Sequence, residues 1–559
     1  MDCLLLHVPK FSSVYAPLGE FMNITYMPMG LPAIANWLER NGVSTEIIHL
    51  GVEWIKDPKH STVEEISNMD VSLIGMALYW HYQTFDVLDV AERIKAAKPE
   101  AFIFLGGITA AYFARDILAE YPFVDAVIVG DGEISAVELA EAHAGKREMS
   151  DVANLVYRRA DGEIISNTRR VASDQDMIDQ LTFGDLSMVR NADIYVDRFG
   201  FPLAYPKQFS AGRNDATQKL GKRSFFPLFT GRGCAWECTF CGGNRAVLGD
   251  LTATAKLRFR NYSRVVDDIE LALGHGYRTM ALCFDPTPDR DDYYVDMFRE
   301  IRRRKLDVDF YFECWGLPTR RFLTEWVETF GHNNEHSYLA LSPDAGNEEV
   351  RRKNKQPFYT DEEFFKSMDD LEEFGITADI FFTTALPYEN VHTALDANKM
   401  IRRIRDNYTI SKRIMIWSVQ LEPGSPQYER PEMFNMETDR KSVVDFYNLH
   451  GGGKGGGDTY SSLGYKILDY FGDARDQGSI QDFEANIQGL KCMEFCFYGE
   501  DATKPSQPAD GRRWCLGRRN EIAASVGLGE QTEISRSYPY AKAARALAPA
   551  FPKTRPRYA

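Results

Sequence analysis

Apolar runs at Cys3–Val8, Ser72–Leu78, Phe102–Leu105 and Ala126–Val129 alternate with amphipathic stretches such as Gly30–Asn41 and Phe85–Ala97. Short runs that are apolar throughout suit strands covered on both faces, and the stretches between them are long enough for crossover helices. Residues 1–150 therefore predict an α/β domain with a parallel, doubly wound, Rossmann-like sheet. Ligands of such sheets bind outside the carboxyl ends of the strands. The candidate site-lining loops are Pro9–Met29, Tyr79–Thr84, Gly106–Ala110 and Gly130–Glu133.

Residues 151–222 are less regular. They predict a hairpin (Asn154–Arg158, a turn at Ala160-Asp161-Gly162, then Glu163–Ile165) followed by a polar stretch, together read as a linker wrapping between domains. Alternation returns over 223–428. Strands are predicted at Phe226–Thr230, Thr279–Phe284, Asp309–Glu313, Ser337–Leu341, Thr377–Thr383 and Arg413–Gln420, with helices at Ser263–Leu273, Tyr293–Arg304 and Asp361–Phe374. That order fits a partial TIM-type (β/α)6 barrel, whose site loops follow the strands' carboxyl ends. Beyond Pro423 the pattern loosens, and 429–559 form a small C-terminal region read as a substrate-binding element. It holds a glycine-rich loop around Lys454, without the spacing of a phosphate-binding loop, and a helical stretch at Phe483–Leu490.

Composition narrows the picture. Hydrophobic residues make up 44% and charged residues 26% of the chain, with a mean hydropathy of -0.35, as in a soluble globular protein. No run approaches the roughly 20 apolar residues of a membrane span. The first residues lack the flanks of a signal peptide, so a cytoplasmic protein is expected. A net charge of -16 argues against a nucleic-acid partner. Nine cysteines in such a chain point to metal ligands where they cluster rather than to disulfides.

One cluster stands out. Gly231-Arg-Gly-Cys-Ala-Trp-Glu-Cys-Thr-Phe-Cys-Gly-Gly-Asn244 follows a predicted strand and places Cys234, Cys238 and Cys241 at C-x3-C-x2-C spacing. Three thiolates can ligate three irons of a cubane and leave the fourth iron open. A zinc site or a ferredoxin cluster would want a fourth ligand, and none lies nearby in sequence. Phe240 would shield the cluster.

This segment resembles the signature of the radical S-adenosylmethionine superfamily, C-x3-C-x-aromatic-C. The resemblance implies a 4Fe–4S cluster whose open iron chelates S-adenosylmethionine, an electron donor such as flavodoxin or ferredoxin, and a 5′-deoxyadenosyl radical. It also implies cofactor contacts from Phe240, from Glu313 ending the third strand and from Ser342 ending the fourth. The superfamily's second strand usually ends in a Gly-Gly-Glu-like motif. Here the equivalent is Phe284-Asp285-Pro286-Thr287-Pro288, a departure that leaves the contact to Asp285.

The first domain resembles the cobalamin-binding domain that precedes many of these enzymes. The resemblance rests on Tyr26-Met-Pro-Met-Gly-Leu-Pro-Ala-Ile-Ala-Asn-Trp-Leu38, Gly106-Gly107-Ile108-Thr109 and Val129-Gly130-Asp131-Gly132-Glu133. It implies cobalamin contacts from Gly106, Gly107, Thr109, Gly130, Gly132 and Glu133, with Tyr79, Trp80 and His81 beneath the corrin. The chain lacks the Asp-x-His-x-x-Gly motif of proteins that ligate cobalt through histidine. His81 is then either a cobalt ligand or, as loop imidazoles more often are, a hydrogen-bonding group. A Rossmann-like regulatory domain for another ligand is the alternative.

Together the resemblances imply a cobalamin-dependent radical S-adenosylmethionine methyltransferase that transfers methyl from methylcobalamin to an unactivated carbon of a small-molecule or peptide substrate. Alternatives are a non-methylating cyclisation or rearrangement, polar methyl transfer, and a non-catalytic cobalamin or redox sensor. Outside the motif, Cys283 and Cys314 read as core, and Tyr388 as packing or a substrate contact. Cys492, Cys496 and Cys515 read as buried thiols, with an auxiliary cluster or zinc ion as the alternative.

Overall fold

The computed structural model describes residues 1–9, 27–57, 61–198, 225–282, 291–333, 336–451, 464–468 and 470. Asp285, Cys283, the loop around Lys454, Phe483–Leu490 and the cysteines at 492, 496 and 515 lie outside the described residues.

Strand β1 (Cys3–His7) is buried at every position, as its unbroken apolar run requires. It lies at the centre of a split. β2 (Thr45–His49) pairs parallel on one side and β3 (Leu73–Ala77) on the other. β4 (Phe102–Gly106) and β5 (Ala126–Ile128) continue the parallel sheet beyond β3. The chain thus reverses its direction of winding at β1, and the crevice between the ends of β1 and β3 is the expected ligand position. β6 (Leu155–Arg158) and β7 (Ile164–Ser166) then add antiparallel, giving the sheet order β2-β1-β3-β4-β5-β6-β7. The hairpin predicted within the linker is therefore part of the first sheet.

The second sheet contains the six predicted strands, each paired parallel to the next. They are β8 (Phe225–Pro227), β11 (Thr279–Leu282), β12 (Asp309–Cys314), β13 (Tyr338–Asp344), β14 (Ala378–Thr384) and β15 (Ser411–Ser418). Between β8 and β11 runs a short antiparallel ribbon, β9 (Gly231–Arg232) with β10 (Arg258–Phe259). Helices Asp291–Arg304 and Arg320–Phe330 cover one face through interlocking rings, Phe298, Phe310, Phe322 and Trp326 among them. Cys314 is buried in this sheet, as expected. A last pair, β16 (Met436–Thr438) with β17 (Tyr465–Ile467), is tied to the mouth of the sheet. There the Tyr465 hydroxyl donates to the carbonyls of Ala385 (2.6 Å) and Val419 (3.2 Å). No helix among the described residues is long and apolar enough to cross a membrane.

Candidate functional site

The cysteine segment leaves the second sheet through the β9–β10 ribbon. Close passage is built into it. A side chain at Gly231 would lie 2.4 Å from the Arg258 carbonyl, and Gly233 holds φ +93° against the Lys256 carbonyl. Cys234 is buried, while Cys238 and Cys241 are half-buried. Each sulfur accepts a backbone N–H: Cys234 from Trp236 (3.4 Å), Cys238 from Gln356 (3.4 Å) and Cys241 from Gly243 (3.3 Å). Burial pushes all three thiols up, and these amides pull the other way. The charge of Cys234 reaches both other sulfurs, so the three share one locality.

Neighbouring elements hold the segment in place. The Thr239 N–H donates to the Asn354 carbonyl (3.0 Å), the Glu237 N–H to Gln356 Oε1 (3.1 Å) and the Gln427 N–H to the Thr239 carbonyl. Asn244 caps the helix Arg245–Thr252 through the amides of Ala246 and Val247, and its Nδ2 donates to the Cys241 carbonyl. Three desolvated thiols become stable thiolates only beside positive charge, which an iron–sulfur cluster supplies. Among the described residues no three His, Cys, Asp or Glu are grouped to hold a single metal ion. A cubane, taking one thiolate on each of three irons, needs wider spacing. The donor set fits it.

Phe240 is half-buried against the core. Glu313 is half-buried on β12 and accepts the Tyr311 hydroxyl at 3.1 Å, and Ser342 is half-buried on β13. A charged pair not foreseen from sequence lies close by. Lys355 Nζ contacts Asp344 at 2.8 Å, and Thr383 donates to the other Asp344 oxygen at 2.9 Å. Burial works against the Lys355 ammonium, and Asp344, Tyr359 and Cys238 together more than offset it. Tyr388 packs on Phe434 and Lys353, and its hydroxyl donates to the Met433 carbonyl.

In the first domain, Tyr79, Trp80, His81, Gly106, Gly107 and Thr109 come together at the ends of β3 and β4. The Thr109 hydroxyl donates to the Tyr79 carbonyl (2.9 Å), and the Leu78 N–H to the Gly106 carbonyl (2.8 Å). Gly107 holds φ +102°, where a side chain would meet the Leu78 carbonyl at 2.7 Å. The Gln83 side chain donates to the Val8 carbonyl (2.8 Å), joining the loops that follow β1 and β3 across the crevice. His81 is buried edge-on against Tyr82 and Phe446. Phe446 belongs to the helix Val443–Gly451, which returns from the C-terminal region to cover this domain, its Tyr447 lying on Phe85 and Tyr121.

The loop after β5 behaves differently from expectation. Gly130, Gly132 and Glu133 were candidates for cobalamin contact, yet they are occupied by protein. A side chain at Gly130 would lie 2.6 Å from the Leu251 carbonyl of the second domain, and one at Gly132 would meet Ile34. Glu133, 1% exposed, gives both carboxylate oxygens to Arg232. Glycines there admit a neighbouring backbone, which sequence cannot distinguish from a cofactor.

The two domains meet at Tyr79. Tyr79 is 41% exposed overall, yet desolvation raises its hydroxyl first, and the charges of Cys241 and Glu422 raise it further. Glu422, within the sequence Leu421-Glu-Pro-Gly-Ser-Pro426, is itself raised by burial. The loop after β3 thus lies within electrostatic reach of the third cysteine.

Both domains match known families. A family model described as B12 binding domain matches residues 23–140, and one described as radical SAM superfamily matches 228–401. The chain is 25% identical over 215 residues to the hopanoid C-3 methylase of Methylococcus capsulatus, covering 38% of this chain and 35% of that protein. It is 22% identical over 414 residues to the anaerobic magnesium-protoporphyrin IX monomethyl ester cyclase of Rubrivivax gelatinosus, covering 72% of this chain and 66% of the cyclase. With the cytidylyl-2-hydroxyethylphosphonate methyltransferase of Streptomyces wedmorensis, identity is 24% over 304 residues, 49% of this chain and 54% of that protein. The chain thus spans less than two thirds of the length of each of these relatives. Among solved structures, the radical S-adenosylmethionine methyltransferase TsrM of Kitasatospora setae, with cobalamin and a [4Fe-4S] cluster bound, superposes with a TM-score of 0.61 at 14% identity, covering 94% of this chain and 98% of TsrM. The cobalamin-dependent S-adenosylmethionine radical enzyme OxsB, with aqua-cobalamin bound, gives 0.52 at 12% identity, covering 94% of this chain and 76% of OxsB. These likenesses are of fold, and the two matched domains carry the assignment: the chain is a radical S-adenosylmethionine enzyme with a B12-binding domain ahead of its radical SAM domain.

Proposed function

We propose that this enzyme is a methyltransferase acting on an unactivated carbon, with a 4Fe–4S cluster, S-adenosylmethionine and cobalamin as its cofactors. The observation that carries the reading is the junction of the first domain with the cysteine segment, where Glu133 accepts both terminal nitrogens of Arg232, two residues before Cys234. Similarity to two methyltransferring relatives supports it. When bound, the cluster supplies the electron that cleaves S-adenosylmethionine, and cobalamin supplies a methyl carrier.

The chain's own residues bind and orient. Cys234, Cys238 and Cys241 would hold the cluster, with the amides of Trp236, Gln356 and Gly243 steadying their thiolates. Phe240, Glu313 and Ser342 would line the S-adenosylmethionine side, and Asp285, outside the described residues, would join them. Tyr79, Trp80, His81, Gly106, Gly107 and Thr109 would form the cobalamin face. Residues 1–150 would act as the cobalamin-binding domain, 223–428 as the radical domain and 429–559 in substrate binding. A small-molecule or peptide substrate, a flavodoxin- or ferredoxin-type electron donor and a cytoplasmic setting complete the reading.

A second reading is favoured by one observation. One of the relatives above, matched over 414 residues, is a cyclase. Product mass separates the two. Protein reconstituted anaerobically with iron, sulfide and cobalamin, then turned over with S-adenosylmethionine labelled in its methyl group, should give product heavier by one labelled methyl. An unlabelled product of altered connectivity would instead establish cyclisation or rearrangement.

A further inference from the structure

Four charges are buried where the two domains join. Arg232 and Arg258 stand directly opposite one another in the β9–β10 ribbon. Like charges in cross-strand register repel, and this ribbon is only two residues long on each side. The opposing charge comes from the first domain. Asp131 takes both arginines, Arg232 at 3.2 Å through one oxygen and Arg258 at 3.0 Å through the other. Glu133 takes both terminal nitrogens of Arg232, one of them at 2.9 Å. Ser173 completes the set, its N–H donating to Asp131 at 2.9 Å while its hydroxyl accepts from Arg232 at 3.1 Å. The side chains of Arg232, Asp131, Arg258 and Glu133 are 13%, 9%, 9% and 1% exposed.

The same loop also reaches the far end of the cysteine segment. Arg232 stands two residues before Cys234, and the helix Arg245–Thr252 follows Asn244. At that helix's end the Leu251 carbonyl abuts Gly130 and accepts Arg170 at 2.5 Å. Contacts at Gly130–Glu133 therefore bracket the cysteine segment on both sides.

We infer that Asp131 and Glu133 are positioning residues, which fix the cysteine segment against the cobalamin-binding domain and so set the separation of the two cofactors. This rests on the cofactor reading above. It replaces a direct cobalamin contact as the role of Glu133. A first domain detached from Arg232 and Arg258 would leave the arginines in mutual repulsion, and the ribbon leading into Cys234 would lose its fixed course.

The test uses the full chain reconstituted with iron, sulfide and hydroxocobalamin, then reduced until cluster and cobalt(II) are both paramagnetic. Their magnetic interaction, read by electron paramagnetic resonance, reports their separation. Wild type should show one well-defined interaction. Glu133→Gln and Asp131→Asn, which keep shape and remove charge, should retain iron and cobalamin while that interaction weakens and broadens. Unchanged interaction in both variants, whatever their melting temperatures, would overturn the inference and leave the four charges a stabilising role only. Should either variant fail to fold, Arg258→Lys keeps the charge with a shorter reach and should broaden the interaction partly; no broadening there also overturns it. Wild-type protein that takes up iron but no cobalamin would overturn the cofactor reading itself, and this inference with it.

Discussion

The Glu422 carboxylate accepts the backbone N–H of Gly242 at 2.7 Å, one residue beyond Cys241. This bond ties the chain leaving β15 to the cysteine segment across 180 residues of sequence. Glu422→Ala leaves a desolvated amide without an acceptor, a loss of about 1–3 kcal/mol. Glu422→Gln retains an oxygen in place and should recover most of it. Denaturant midpoints, with iron content after reconstitution, measure both. An alanine variant as stable and as iron-loaded as wild type would refute the contact's importance.

Two cysteines should respond oppositely to replacement. Cys238→Ala is expected to remove most of the roughly four irons of a reconstituted cluster. Cys314→Ala, in the sheet core, should keep the iron and lose about 1 kcal/mol of stability through a small cavity. Iron and sulfide assays read the first effect and thermal unfolding the second.

At Gly107, φ +102° and the Leu78 carbonyl leave no room for a side chain. Gly107→Ala should cost about 1–3 kcal/mol of backbone strain. If this turn also carries cobalamin, equilibrium dialysis should find weaker cobalamin uptake, with the iron content of the reconstituted protein unchanged.

A pH dependence follows from Glu389. It is buried at the end of β14, where it accepts the Ala385 N–H at 2.5 Å and the Thr384 hydroxyl at 3.1 Å. Burial pushes its carboxyl up from 4.5 to about 8. The folded state therefore holds this proton more tightly than the unfolded chain. The stabilisation is complete below pH 4.5 and is lost as pH rises through about 8. Within that window the slope reaches at most about 1.4 kcal/mol per pH unit. Glu389→Gln should flatten that part of the stability profile, as urea titrations across the range would reveal. An identical slope in the variant would place the titration elsewhere.

Spacing made the cysteine motif and the six strands of the second sheet legible in the sequence, because both are local patterns. β2 was not, since Thr45-Glu46-Ile47-Ile48-His49 mixes polar and apolar positions and gives no clean run. The glycine loop after β5 announced a close approach, and at Gly130 the partner is the Leu251 backbone, which no local pattern foretells. Arg232 and Arg258 stand about a hundred residues or more from Asp131 and Glu133, and no local pattern marks such a pairing. Glu422 and its partner Gly242 stand 180 residues apart, so their pairing is knowable only from the fold.

The helix Val443–Gly451, with Phe446 against His81, brings the chain back to the domain where it began. The polypeptide is thereby closed on itself, so a cut after the second sheet would strip a lining from the first rather than release a finished unit. Heat or force should then dismantle the described parts as one cooperative body. A single calorimetric peak in the intact chain, splitting into two once Phe446 and Tyr447 are replaced by alanine, would be the signature of that closure.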